Sequence, residues 1–154
     1  MWGHWKPHLH DHLTAFNDTH IAMALLGASP VDVDIDTWLE AASAFALHGR
    51  GSHQQLADTT GQRIVTAVAK FKKGDYESTV QLLLPVRNDV DSIGGSHAQR
   101  DIVHQLLIQA CLRSGEPQHS RLAHYLLNQR LAERPTSHLT KRLIERLQTR
   151  AASE

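Results

Sequence analysis

The side chains with the clearest chemical potential in this sequence lie in two short segments, and the first contains Asp18 and His20. A carboxylate near an imidazole could act as a general acid–base pair. On a helix, however, residues two positions apart point about 160° away from one another, so each would need a partner from another helix. The alternative is that His20 is a core histidine satisfied by a hydrogen bond.

The second segment is residues 94–101, with the sequence GGSHAQRD. Two glycines permit a sharp turn, and the spacing of Ser96 and Gln99 predicts a capping box at the start of a helix. The free N–H groups of that helix start, together with Arg100, could bind an anion. The alternative is structural: a capped turn whose Arg100 and Asp101 pair with neighbouring helices. The candidate ligand-binding residues of both segments are Asp18, His20, Gly95, Ser96, Gln99, Arg100 and Asp101.

Neither segment contains a recognisable set of catalytic residues or metal ligands. Ser96 and His97 are adjacent, and neighbours at a helix start do not face each other as a dyad would. Of the clustered histidines, only His8 and His12 would share a helix face, and no cysteine or carboxylate completes a tetrahedral set at ligand spacing. We therefore assign no catalytic residue, metal or cofactor and favour a protein that is not an enzyme, with an enzyme as the alternative.

The elements that must position these segments are helices. Apolar residues recur every three or four positions along almost the whole chain, which predicts about seven helices. The first is expected over residues 8–26 with Gly27 as its C-cap, and Pro85 should end the fourth near Leu84. Thr136 is expected to cap the seventh.

Residues 31–36 (VDVDID) alternate like a strand, but no second strand-like segment exists to pair with them. We interpret them as an extended entry into the second helix, with Asp34 or Asp36 as its N-cap.

The helices are punctuated by glycine turns. Gly27, Gly74 and Gly115 are separated by 47 (74 − 27) and 41 (115 − 74) residues, somewhat more than the roughly 34 of a tetratricopeptide repeat. Residues 73–77 (KGDYE) nevertheless match what such repeats place between two helices, with an aromatic that packs on the preceding helix. We predict one all-α domain over residues 1–154, a tetratricopeptide-repeat-like α-solenoid of antiparallel hairpins; a closed bundle is the alternative.

Three short sequence segments also resemble one protein family. Residues 16–20 (FNDTH), 82–87 (LLLPVR) and 94–101 (GGSHAQRD) look like the tetratricopeptide repeat protein 38-like family, and Leu143-Ile144 resembles its C-terminal end. The resemblance covers nearly the whole chain and corresponds to the last third of the usual family members. It implies the fold, not an activity.

Tetratricopeptide-like proteins as a class mostly bind peptides or proteins on a concave face. We therefore expect a scaffold that binds protein or peptide partners in a groove between its second and third hairpins. The alternative is an enzyme or small-molecule-binding fragment with a polar pocket around His20 and residues 94–101.

The amino-acid composition limits which partners and which cellular compartment we expect for this protein. The 16 basic and 16 acidic residues cancel, so there is no global nucleic-acid or membrane signature, although residues 113–154 hold 8 basic against 4 acidic residues. The N-terminus lacks the apolar run of a signal peptide. The single Cys111 excludes an intramolecular disulfide framework and fits a reducing compartment, so we expect a cytoplasmic protein.

The N-terminal segment predicts self-association. The first helix is expected to carry two apolar faces, with two tryptophans just upstream, and one face would need a cover. A homodimer through this helix is the simplest expectation, and tryptophans folding back over it are the alternative. The expected interface residues are Trp2, Trp5, Leu9, Leu13 and Phe16.

Overall fold

A computed structural model of the chain describes Gly3 and residues 6–11, 15–28, 34–48 and 60–151. Within these ranges the structure is all-helical, with seven α-helices, two short 3-10 turns (Lys6–His8 and Val90–Ile93) and no strand. The helices are α1 (Ala15–Ala28), α2 (Ile35–His48), α3 (Gln62–Lys72), α4 (Tyr76–Leu83), α5 (His97–Arg113), α6 (Pro117–Glu133) and α7 (His138–Ala151). None of these helices is long and apolar enough to span a bilayer.

From α3 onward, each helix packs mainly on its sequence neighbours. Loops of three or four residues join α3 to α4, α5 to α6 and α6 to α7, and they force consecutive helices to lie side by side. α1 and α2 both pack on α3, which also contacts α5. One apolar cluster runs through all of these helices; its largest fully buried members include Ile21, Leu25, Trp38, Ile64, Leu83, Leu107 and Leu127.

Two of the predicted glycine turns are confirmed. Gly74 and Gly115 have φ angles of 80° and 78°, which only glycine adopts readily. After Gly74, the Asp75 carboxylate accepts a hydrogen bond from the Ser78 N–H, and the Tyr76 ring meets the Phe71 ring edge-on at 5.3 Å between centroids. The aromatic after this turn therefore packs on the preceding helix, as its sequence predicts.

Other helix ends are also as predicted. α4 ends at Leu83, two residues before Pro85. The Asp34 carboxylate, and not that of Asp36, begins α2, because it accepts hydrogen bonds from the Asp36 N–H and the Thr37 hydroxyl.

The predicted first helix is wrong at both ends. It begins at Ala15 and not near residue 8, because the preceding chain makes a 3-10 turn that buries Leu9 and offers the Leu9 carbonyl to the Trp38 indole N–H at 2.7 Å. At its other end the helix continues through Gly27 to Ala28, so Gly27 is an ordinary helical residue and not a cap.

The cap predicted for the last helix is displaced by one residue. α7 begins at His138, and the Ser137 hydroxyl accepts a hydrogen bond from the Thr140 N–H at 3.3 Å. Ser137, not Thr136, therefore caps the helix.

The expected N-terminal interface is also changed by this geometry. Leu9 is buried at 8% exposure and lies outside α1, and Phe16 is half-buried. Trp2, Trp5 and Leu13 lie outside the described residues. The prediction that Leu9 and Phe16 form one uncovered stripe of a single helix is therefore wrong, because the chain itself covers Leu9.

Candidate functional site

The segment 94–101 begins α5 as its sequence predicts. Ser96 is the N-cap: its hydroxyl accepts from the Gln99 N–H, and the Gln99 side-chain oxygen accepts from the Ser96 N–H at 2.9 Å. Gly94 and Gly95 precede it with φ angles of 87° and 81°. The polar groups of Ser96 and Gln99 are therefore engaged in a complete capping box.

Gly95 has a second reason to be glycine, which is its contact with α1. A Cβ atom at this position would lie 2.1 Å from Cε2 of Phe16, whereas a Cβ atom at Gly94 would meet nothing within 4 Å. The Phe16 ring also lies against the His20 ring, 4.1 Å between centroids. The two segments with chemical potential thus touch, through an aromatic ring seated on a glycine backbone.

The two candidate residues of α1, Asp18 and His20, are buried or half-buried in the fold. The His20 ring is half-buried, and its Nδ1 lies 2.9 Å from the Phe16 carbonyl oxygen one turn earlier. Asp18 is buried, at 7% exposure. Neither residue lines the cleft described below.

Arg100 binds together the turn that leads into α5. One terminal nitrogen of its guanidinium donates to the Gly95 carbonyl, and the other lies 3.2 Å from Nδ1 of His97. Its Nε lies 2.8 Å from an Asp91 carboxylate oxygen, an ion pair in which the N–H points away from the line of a hydrogen bond. The side chain is 15% exposed. An intramolecular carboxylate therefore already neutralises the arginine considered for anion binding.

Asp101 joins the start of α5 to the end of α6. Its two carboxylate oxygens accept from the two terminal nitrogens of Arg130, one of them at 2.9 Å, and it also accepts from the Gln105 amide at 2.8 Å. These hydrogen bonds, those from Arg130 foremost, lower the pKa of Asp101 to about 2. The two side chains are only 14% and 18% exposed, so the pair is shielded from solvent.

A cleft of about 220 Å³ lies beside these two ion pairs, between α5, α6 and the segment that follows α4. Its lining residues are Arg87, Asn88, Asp91, His97, Arg100, Asp101, His104, Leu107, Ile108, Leu126, Gln129, Arg130, Glu133 and Arg134. Burial lowers the pKa of His104, so this imidazole is neutral at pH 7. The residues that line the cleft include no Ser, Thr, Cys, Tyr or Lys; its titratable side chains are arginines, histidines and carboxylates.

The predicted candidates therefore divide into three groups. Arg100 and Asp101 line the cleft, Gly95, Ser96 and Gln99 shape the turn beneath it, and the remaining two lie in α1. Sequence reasoning did not single out Arg87, Arg130 and Arg134, which reach the cleft from another helix and from loops, or His104, which lies on α5 itself one turn after Arg100.

Two further features bear on chemistry. Within the described ranges, no three His, Cys, Asp or Glu side chains group as they would around a metal ion. Cys111 is buried in the core, which raises the pKa of its thiol to about 12.

Comparison with known proteins gives no assignment for this site. No protein-family model matches the chain, and no solved structure matches it significantly.

The contact of Gly95 with Phe16 makes a testable prediction. Gly94→Ala should destabilise the protein by about 1–3 kcal/mol through its positive φ. Gly95→Ala should cost about 1–3 kcal/mol more, because its methyl group collides with the ring. Chemical denaturation measures both free energies of unfolding. In a Phe16→Ala background the two alanine variants should become equal in cost; an unchanged difference would contradict the contact.

The ion pair of Asp101 predicts a pH dependence. Because its folded pKa is about 2 against an ordinary 3.8, the extra stability is complete above the ordinary value and is lost as pH falls towards 2. Asp101→Asn should lower the free energy of unfolding at pH 7 by on the order of 1–2 kcal/mol, with allowance for solvent screening. Urea unfolding of both proteins from pH 7 to pH 2 should show this difference shrinking. A difference that stays constant would contradict the ion pair.

Proposed function

We propose that this chain is a tetratricopeptide-like helical scaffold, related to the tetratricopeptide repeat protein 38-like family, that binds a protein or peptide partner. The cleft between α5 and α6 is the binding surface in this proposal. The observation that carries it is the cleft's lining, which combines charged and amide side chains from three chain segments around an apolar floor. Sites that recognise peptides or ligands have this mixture of apolar and oriented polar groups.

The packing supports a solenoid over a closed bundle. Successive helices from α3 to α7 pack on their neighbours, and α3 reaches α5, two helices on. Such nearest-neighbour stacking is typical of helical repeats. The Gly74 turn, with Tyr76 packed on Phe71, is the feature by which these repeats reverse direction.

The state of the polar side chains favours a scaffold over an enzyme. An enzyme would bring acids, bases and nucleophiles together in a pocket without intramolecular partners, so that they could act on a substrate. Here Arg100 and Asp101 are occupied by intramolecular partners, Asp91 and Arg130. A small-molecule site remains the second candidate on one observation: the neutral, half-buried imidazole of His104 in the cleft wall.

Self-association and location complete the proposal. A homodimer would form through the N-terminal segment. Leu9 would not contribute to that interface, because it is already buried within its own chain. A single buried thiol suits a reducing compartment, and we propose a cytoplasmic location.

Selection of peptides on the full chain tests the binding function. A phage library of random twelve-residue peptides should yield binders that lose affinity at least about tenfold for Asn88→Trp, because the exposed Asn88 lines the cleft and an indole would fill it. Gln118→Trp is the control, because Gln118 is also exposed and lies at the start of α6 outside the cleft lining.

Two results would contradict the proposal. One is a selection that enriches no peptide, together with a specific rise in melting temperature from a metabolite panel. The other is peptides that bind both tryptophan variants as well as they bind the unmodified chain.

A further inference from the structure

The charges around the cleft do not cancel. Its lining holds four arginines and three carboxylates, and two pairs account for most of them. Asp101 is taken by Arg130, and Asp91 lies against Arg100. The hydrogen bonds to Asp101 mainly raise the pKa of Arg130, and the negative charge of the remaining carboxylate, Glu133, adds to that rise.

Two arginines are less closely paired in the described part of the chain. Arg87 lines the cleft and makes no ion pair there, and Arg134 comes no closer than 4.0 Å to Asp101, which Arg130 already occupies. Arg134 is 60% exposed, so its guanidinium is available to a ligand. Asn88 and Gln129 also line the cleft and add exposed amide groups that can donate hydrogen bonds.

We infer that the partner bound in this cleft is an acidic peptide segment, whose Asp or Glu carboxylates pair with Arg87 and Arg134. The inference rests on the proposed function and specifies its partner. Arginine guanidinium groups match carboxylates by paired, charge-assisted hydrogen bonds, which give orientation as well as affinity. In this proposal the side-chain amides of Asn88 and Gln129, which also line the cleft, hydrogen-bond to the peptide backbone.

The charge of the last part of the chain, which includes Arg130 and Arg134, favours the same partner. Residues 113–154 carry 8 basic and 4 acidic residues, an excess of four positive charges. Such a field accelerates the approach of an acidic segment at low ionic strength.

Fluorescence anisotropy with the full chain tests this inference. The probe is a fluorescein-labelled octapeptide of alternating glutamate and glycine, and its counterpart carries glutamine for glutamate. At 50 mM NaCl the glutamate peptide should bind at least about tenfold tighter than the glutamine peptide, and 0.5 M NaCl should remove most of this difference. Arg87→Gln with Arg134→Gln should remove it as well. Arg142→Gln with Arg146→Gln, which deletes the same charge from α7, should change affinity less than about threefold.

Each alternative outcome has a defined meaning. Equal binding of the two octapeptides, or equal losses in the two double variants, overturns the inference. If the double variant of the cleft has a lowered melting temperature, Arg87→Gln alone replaces it, because Arg87 has no ion pair to lose in the described structure. Selected neutral peptides that Asn88→Trp blocks would keep the binding function while rejecting its acidic partner.

Discussion

The ion pair between Asp101 and Arg130 is the interaction on which this part of the structure depends. It fixes the second turn of α5 to the last turn of α6. Mostly buried charges are costly unless each has well-oriented partners, and here two guanidinium nitrogens and the Gln105 amide provide them. The pair fixes one wall of the cleft and leaves the neighbouring Arg134 with only a longer contact, 4.0 Å, to the Asp101 carboxylate.

Much of the helical framework could be predicted from local sequence. The Ser96 capping box, the Gly74 and Gly115 turns and the helix stop before Pro85 all depend on interactions within a few residues, which the sequence displays directly. The errors lie where a distant partner decides. Leu9 leaves the predicted first helix because the Trp38 indole, 29 residues away, binds its carbonyl.

The candidate site was only partly predictable for the same reason. Arg100 and Asp101 were identified from their segment, but Arg130 is also 29 residues from Asp101, and no spacing rule connects them. Gly95 illustrates the point differently: a sequence shows that the turn needs glycine, not that the Phe16 ring occupies the space of its missing Cβ atom. A single sequence displays local rules, whereas a cleft is built by contacts between helices.

The central claim, that the cleft between α5 and α6 is where a partner binds, can be tested by nuclear magnetic resonance. Titration of the ¹⁵N-labelled full chain with the glutamate octapeptide should shift amide signals around Arg87, the first turns of α5 and residues 129–134, the segments that line the cleft. Signals of α1 and α2 should stay in place. Shifts confined to α1 and α2, or spread evenly over the basic surface of α7, would contradict the account.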